Sequence, residues 1–419
     1  MSDTKERHII LDFLRGIALM GICLANFPEF ALYTFQTQEV TAAMPTAGID
    51  TVVKYIQYIF IEGKFYTIFS LLFGIGFSII FSNAVKNGKS GFRIFYRRMI
   101  ILLLIGFFHL ICLWAGDILI LYAFLGLFLP FFRNFSDKKL WFSAVVLLLL
   151  PILVDTCITL FGWHLSAPAI QATKHFHDKA GITEANFPVW LAEAGSCYAD
   201  VLKFNIAGSF IRLQEFIEGN RAFKVMGLFI IGFYIGRNRL FANPEDYKIH
   251  LRKIRNIGFG VGLPLSVLYA WNAMNGHPLG LPGTAAIYAV SVFPLSFAYI
   301  SAIVLYYIRN KDRRIFQIVA APGRMALTNY MMQSVFGIIL FYGIGFCLGV
   351  KTGLIHVTWI AFAVFLVQII YSNVWLRHFR FGPMEWGWRM LTYGTYLSIR
   401  KNRIEHINNK NNQHATSNR

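Results

Sequence analysis

Residues 97–133 read RRMIILLLIGFFHLICLWAGDILILYAFLGLFLPFFR. Arg97 and Arg98 open the stretch and Arg133 closes it. Between them lie two apolar runs, about 99–114 and about 118–132, separated only by Ala115, Gly116 and Asp117. A connection this short joins antiparallel helices, and the runs approach the roughly 20 apolar residues that cross a bilayer. Cytoplasmic loops gather Lys and Arg. Both ends of this hairpin are therefore read as cytoplasmic and its Gly116 tip as outside.

The same rhythm runs along the chain. Lys86, Lys89, Arg93, Arg97 and Arg98 form one basic cluster; Arg133, Lys138 and Lys139 form the next. Others run from Arg237 to Arg255, through Lys311, Arg313 and Arg314, and along the tail from Arg377. Apolar stretches between them give ten spans, at about 9–27, 52–84, 99–114, 118–132, 140–161, 223–235, 257–271, 285–307, 326–347 and 354–374. The expected fold is all-α, a polytopic transmembrane helix bundle with N- and C-termini cytoplasmic. It divides into an N-terminal bundle (1–161, spans one to five), an extracytoplasmic loop with an amphipathic helix (162–222), a C-terminal bundle (223–400, spans six to ten) and a disordered cytoplasmic tail (401–419). The first span has no small-residue cleavage site at its end and reads as an uncleaved helix. No internal repeat is found, which weakens an inverted-repeat transporter reading.

Composition agrees. Of 419 residues, 56% are hydrophobic and only 14% charged, and mean hydropathy is +0.52. The net charge of +18 sits at span ends, where it orients the chain and meets anionic headgroups. No basic face with interleaved stacking aromatics lies outside the spans, so no nucleic acid is expected. Cys23, Cys112, Cys157, Cys197 and Cys347 show no paired spacing, and His175 with His177 has no third ligand at a recognisable distance. Neither a disulfide framework nor a metal is implied. There is no Walker loop and no nucleophile elbow.

Ionisable residues inside spans cost on the order of 2.5–3.5 kcal/mol and are functional candidates by default. Asp12 and Arg15, three apart, share a helix face and can pair. Asn26 lies about 21 Å further along the same helix and within roughly 40° of that face, so the first span carries a polar stripe. That suits a helix lining a site across the bilayer; helix packing through hydrogen bonds is the alternative. Lys64, beside Glu62 and Gly63, needs an interface or a carboxylate. His109 is the best general base in the membrane portion, unless it is a satisfied structural group. Asp117, eight residues on, would lie about 12 Å from it along an unbroken helix, a separation that the Gly116 bend could shorten.

Two C-terminal strings carry a resemblance. Gly323-Arg324-Met325-Ala326-Leu327-Thr328-Asn329-Tyr330-Met331-Met332-Gln333-Ser334 and 375–389, WLRHFRFGPMEWGWR, resemble the signature blocks of the YeiB-like family of bacterial membrane proteins of unassigned function. Leu11-Asp12-Phe13-Leu14-Arg15-Gly16, Gly63-Lys64-Phe65 and Gly116-Asp117-Ile118-Leu119 match it as well. The opening Leu-Asp-x-x-Arg-Gly, with Asn26 fourteen residues after Asp12, is similar to the transmembrane acyltransferase superfamily that includes heparan-alpha-glucosaminide N-acetyltransferase and bacterial sugar O-acyltransferases. That likeness implies acyl transfer from cytosolic acyl-CoA to an acceptor across the membrane, with Asp12, Arg15 and Asn26 at matching positions. The lysosomal relative's catalytic His falls on Thr37 here, so the role would pass to His109.

Arg324, Arg377, Arg380 and Arg389, with Trp375, Trp386 and Trp388, form a cationic, aromatic cytoplasmic rim. It is either an interfacial belt or, with Arg15 and Asn329, a site for the nucleotide end of CoA. Gly382 and Pro383 predict a turn and a short helix bearing a Glu385–Arg389 pair. The leading expectation is a membrane acyltransferase in the bacterial cytoplasmic (inner) membrane. Acyl-CoA is its co-substrate, and an envelope glycan or lipid is the acceptor. His109 acts as base, Asp117 holds it, and Asn26 polarises the acyl carbonyl. The alternative is a small-solute permease whose pathway is lined by Asp12, Lys64 and His109.

Overall fold

The computed structural model describes residues 3–86, 90–193 and 197–401. The tail assigned to 401–419 lies, but for its first residue, outside the described residues. Seventeen α-helices follow one another along the described residues. The first seven are α1 (Asp3–Phe30), α2 (Gln38–Ala42), α3 (Ala47–Phe60), α4 (Lys64–Lys86), α5 (Gly91–Phe108), α6 (Leu119–Phe128) and α7 (Asp137–Phe161). Then come α8 (Ala167–Ala180), α9 (Tyr198–Glu218), α10 (Arg221–Arg237), α11 (Lys248–Ile257) and α12 (Leu263–Met274). The last five are α13 (Gly280–Arg309), α14 (Arg314–Arg324), α15 (Ala326–Phe341), α16 (Leu354–His378) and α17 (Pro383–Tyr393). Among the described residues there is no strand, only an isolated bridge between Phe379 and Arg400. The all-helical class holds.

Seven helical segments are long and apolar enough to cross a membrane: Ile9–Phe30, Ala47–Ala84, Gly91–Leu113, Asp137–Phe161, Pro244–Met274, Gly280–Arg309 and Leu354–His378. Two shorter apolar helices, Leu119–Asn134 and Ala326–Phe341, join them. The protein is thus a multi-pass membrane protein. The expected span at 223–235 is part of α10, a helix of 17 residues carrying Arg221, Lys224 and Arg237. It is less apolar than a lipid-facing span because it has no lipid to face: Val225, Leu228, Phe229 and Ile230 are fully buried. By contrast α7, with Leu153 and Leu160 60% and 72% exposed, presents its apolar surface outward.

The expected second span is broken. Helix α3 stops at Phe60, residues 61–63 turn, and α4 begins at Lys64. Gly63 makes the turn at φ +76°, a conformation that costs a side chain and suits glycine. Beyond it, α4 and α10 cross with almost no side chain between them. A Cβ on Gly232 would sit 2.1 Å from the Leu71 carbonyl oxygen and 3.0 Å from Gly74 Cα. Small residues at such crossings let membrane helices reach backbone contact.

The tip of the opening hairpin is likewise irregular. Residues His109–Leu113 widen into a π-turn, closed by Trp114 N–H donating to the His109 carbonyl (2.8 Å). Trp114 is extended (φ −157°, ψ 128°), which ends the helix and releases Asp117 to turn back towards it. The segment 162–222, expected to lie over the membrane, folds into α8 and α9, and α9 packs against this π-turn.

Candidate functional site

The polar stripe of α1 borders a cavity of about 910 Å³. Asp12 and Asn26 both line it, and their separation along the helix gives the cavity a length near 21 Å. Its middle is apolar and aromatic, lined by Phe65, Phe69, Leu72, Phe73, Leu102 and Tyr122. Its two ends differ in chemistry.

At the Asp12 end, Arg15, Arg98, Arg324, Arg380 and Arg389 converge from α1, α5, α14 and the α16–α17 region. Arg15 donates to Asp12 (2.6 Å). The Arg98 guanidinium lies over the Trp388 ring, 3.5 Å from its centroid, and Trp388 Nε1 donates to the Arg98 carbonyl (3.0 Å). Arg389 lies over Phe381 at 4.7 Å. The expected Glu385–Arg389 pair gives way to a helix cap. Glu385 Oε1 accepts from the amides of Leu327 (2.7 Å) and Thr328 (3.0 Å), and Oε2 accepts from Thr328 Oγ1 (2.6 Å). These are orphan donors at the start of α15, where a carboxylate is favoured. Burial pushes the Glu385 carboxyl up, against those hydrogen bonds, and burial lowers the Arg389 guanidinium. With Asp12 and Glu385 so engaged, this end keeps a cationic surplus suited to phosphate or carboxylate. Replacing Glu385 by Ala removes the cap and should lower stability by about 1–2 kcal/mol, read as a shift in thermal unfolding midpoint in detergent.

At the other end, Asn26, Glu29, Glu62, Tyr66, Lys224 and Tyr330 line the cavity, with Arg212 and Arg221 beside them. Among the described residues, the side chains of Asn26, Glu29 and Glu62 take part in no hydrogen bond or ion pair. The buried Tyr66 hydroxyl has no partner either. Arg212 instead ties α9 to the hairpin tip: Nε donates to the Asp117 carbonyl (2.9 Å), Nη2 to the Gly116 carbonyl, and Nη1 to Glu215 (2.5 Å).

Several sequence candidates stand elsewhere. Lys64 is fully buried without a carboxylate; Nζ donates to the Tyr58 carbonyl (2.7 Å) and lies 5.4 Å from the Tyr269 ring centre. It caps the carbonyl end of α3, where a cation is favoured. His109 and Asp117 do meet: Nδ1 to Oδ1 is 2.8 Å, and Nε2 to Ser334 Oγ is 2.7 Å. Asp117 Oδ2 also accepts from Ile120 N–H (2.8 Å). All three side chains are buried and stand behind the cavity wall, with the imidazole 4.9 Å from the Tyr330 ring. Asn329 is held by Pro322, Met325, Ser372 and Tyr371, and does not reach the cavity. Arg377 is exposed beyond the lining, and Trp386 donates to the Leu397 carbonyl (2.7 Å). Thr37 caps α2, accepting from Val40 N–H (3.4 Å).

Glu29, Arg98 and Ser334 escape the sequence reading. Glu29 had a signal, since it follows Asn26 by one helical step of three. Arg98 hid in a basic loop cluster; Ser334 hid in an apolar helix.

Residues 235–395 match the family described as protein of unknown function (DUF418). Over 409 residues the chain is 29% identical to the uncharacterized protein YxaH of Bacillus subtilis, covering 95% of this chain and 97% of that one. It is 28% identical to the uncharacterized protein YeiB of Escherichia coli, covering 92% and 96%. An uncharacterized 39.9 kDa protein from the amylase 3' region of Bacillus acidopullulyticus is 27% identical over 94% of this chain. No solved structure matches the chain significantly. Both C-terminal blocks fall within the DUF418 match, and the likeness to these uncharacterized relatives runs nearly end to end, so the chain is similar to the YeiB-like proteins.

Proposed function

We propose that this membrane protein transfers an acyl group from cytosolic acyl-CoA to a hydroxyl or amine of an envelope glycan or lipid. One observation carries the reading: a single cavity joins an arginine cluster to a group of unpaired polar side chains through an apolar waist. In this reading ten spans leave both termini and the arginine end in the cytosol, in a bacterial cytoplasmic membrane. The phosphates of CoA sit on Arg15, Arg98, Arg324, Arg380 and Arg389, with Trp388 beside them. The acyl-bearing arm threads the waist and brings its thioester to Asn26, whose amide polarises the carbonyl. Glu29 takes the proton of the attacking acceptor; the new acyl–oxygen or acyl–nitrogen bond forms, the carbon–sulfur bond breaks, and the departing thiolate takes that proton. His109, held by Asp117 and Ser334, supports the Tyr330 wall and acts as a positioning residue.

The test is transfer of labelled acyl groups from acyl-CoA into envelope fractions. The double change Arg98→Ala, Arg389→Ala should raise KM for acyl-CoA at least about tenfold, as charge-assisted hydrogen bonds are lost. Absence of label with the wild-type protein would sink the proposal. The length of the cavity also favours a second reading, a small-solute permease. Proton-gradient-dependent uptake by proteoliposomes lacking acyl-CoA would select it.

A further inference from the structure

Away from this cavity, the outer side of α5 carries an open groove of about 390 Å³. Ile101, Leu104 and Phe108 form its floor, and Met384 and Leu391 of α17 form its wall. With Arg97 at its mouth, the α5 residues follow one another at i, i+4, i+7 and i+11, a single helix face. Arg97 to Phe108 spans about 16 Å, about half of a hydrocarbon core roughly 30 Å thick. The groove thus has the depth of one leaflet.

The mouth is cationic and unpaired. Arg97 makes no hydrogen bond or ion pair among the described residues, and exposed Arg93 stands one turn before it. The Arg97 guanidinium lies against the backbone of Gly394, where a Cβ would come within 3.0 Å of Nη1. Gly394 ends α17 at φ +66°, so the same glycine closes the helix and leaves room for the arginine. Trp388 on α17 donates to the Arg98 carbonyl and fixes this wall against α5.

We infer that the groove binds an anionic phospholipid, one acyl chain lying on α5 and the phosphate on Arg97. Charge complementarity selects this occupant over a zwitterionic lipid, and the apolar floor selects it over a soluble phosphate. The inference is independent of the acyl-transfer reading, because none of these residues lines the larger cavity except through their neighbours Arg98 and Trp388.

The test is native mass spectrometry of the full chain titrated with phosphatidylglycerol or phosphatidylcholine. Wild type should retain phosphatidylglycerol about fivefold more tightly, the effect of one arginine near an anionic surface. Arg97→Gln should abolish the preference, and Leu104→Trp, which fills the groove at a position 64% exposed, should reduce adducts of both lipids. Equal retention of the two lipids by wild type overturns the inference. So does a preference that survives Arg97→Gln, or a dimer peak in place of lipid adducts.

Discussion

Glu29→Gln is expected to reduce acyl transfer by about 10²–10⁴-fold, the range for removal of a positioned base, with little change in KM for acyl-CoA. The change keeps shape and hydrogen-bonding capacity but cannot take a proton at neutral pH. Glu29 is the carboxylate on α1 nearest in sequence to Asn26, both face the cavity, and neither is committed to a structural bond among the described residues. Glu62, from the turn between α3 and α4, lines the same chamber. A Glu62→Gln variant separates general electrostatics from proton transfer, since only the base should show a lost dependence of kcat on pH. Full activity of Glu29→Gln would remove Glu29 from the chemistry while leaving the arginine site to its own test.

The largest structural effect is expected for Gly232→Leu. Its Cβ would fall 2.1 Å from a backbone carbonyl of α4, and Gly74, opposite, would place its own Cβ 2.2 Å from the Phe229 carbonyl. No rotamer relieves a clash with backbone, so α4 and α10 must separate. Overpacking commonly costs about 1–3 kcal/mol even where side chains can yield; here the outcome should be loss of monodisperse protein on size-exclusion chromatography. Gly76→Ala, on the facing helix α4 with nothing within 4 Å of its Cβ, is the control and should elute as wild type. A normally eluting Gly232→Leu would show that the crossing is wider than described.

The rhythm of basic clusters and apolar runs made the helical membrane fold legible, because that signal is local and repeated. The count was harder. Helix α10 is enclosed by protein, so neither its length nor its apolarity had to meet the demands of lipid. Asp12 with Arg15 was readable from a spacing of three. The His109–Asp117 contact was readable only in part: an unbroken helix sets the two about 12 Å apart, and a π-turn with extended Trp114 brings them to 2.8 Å. Contacts across the chain were out of reach. Ser334 meets His109 from 225 positions away, and nothing in its apolar surroundings announces that partner. Lys64 reads as needing an interface or a carboxylate, and the partner it has, a carbonyl at the end of α3, carries no signal in the local sequence.

The guanidinium resting on Trp388 makes the protein its own optical probe. A phosphate that draws Arg98 off the indole removes a positive charge from the ring face and alters the field across the chromophore, so emission should report occupancy without any attached dye. Trp388 is one of nine tryptophans, and the difference spectrum against Trp388→Phe isolates its contribution.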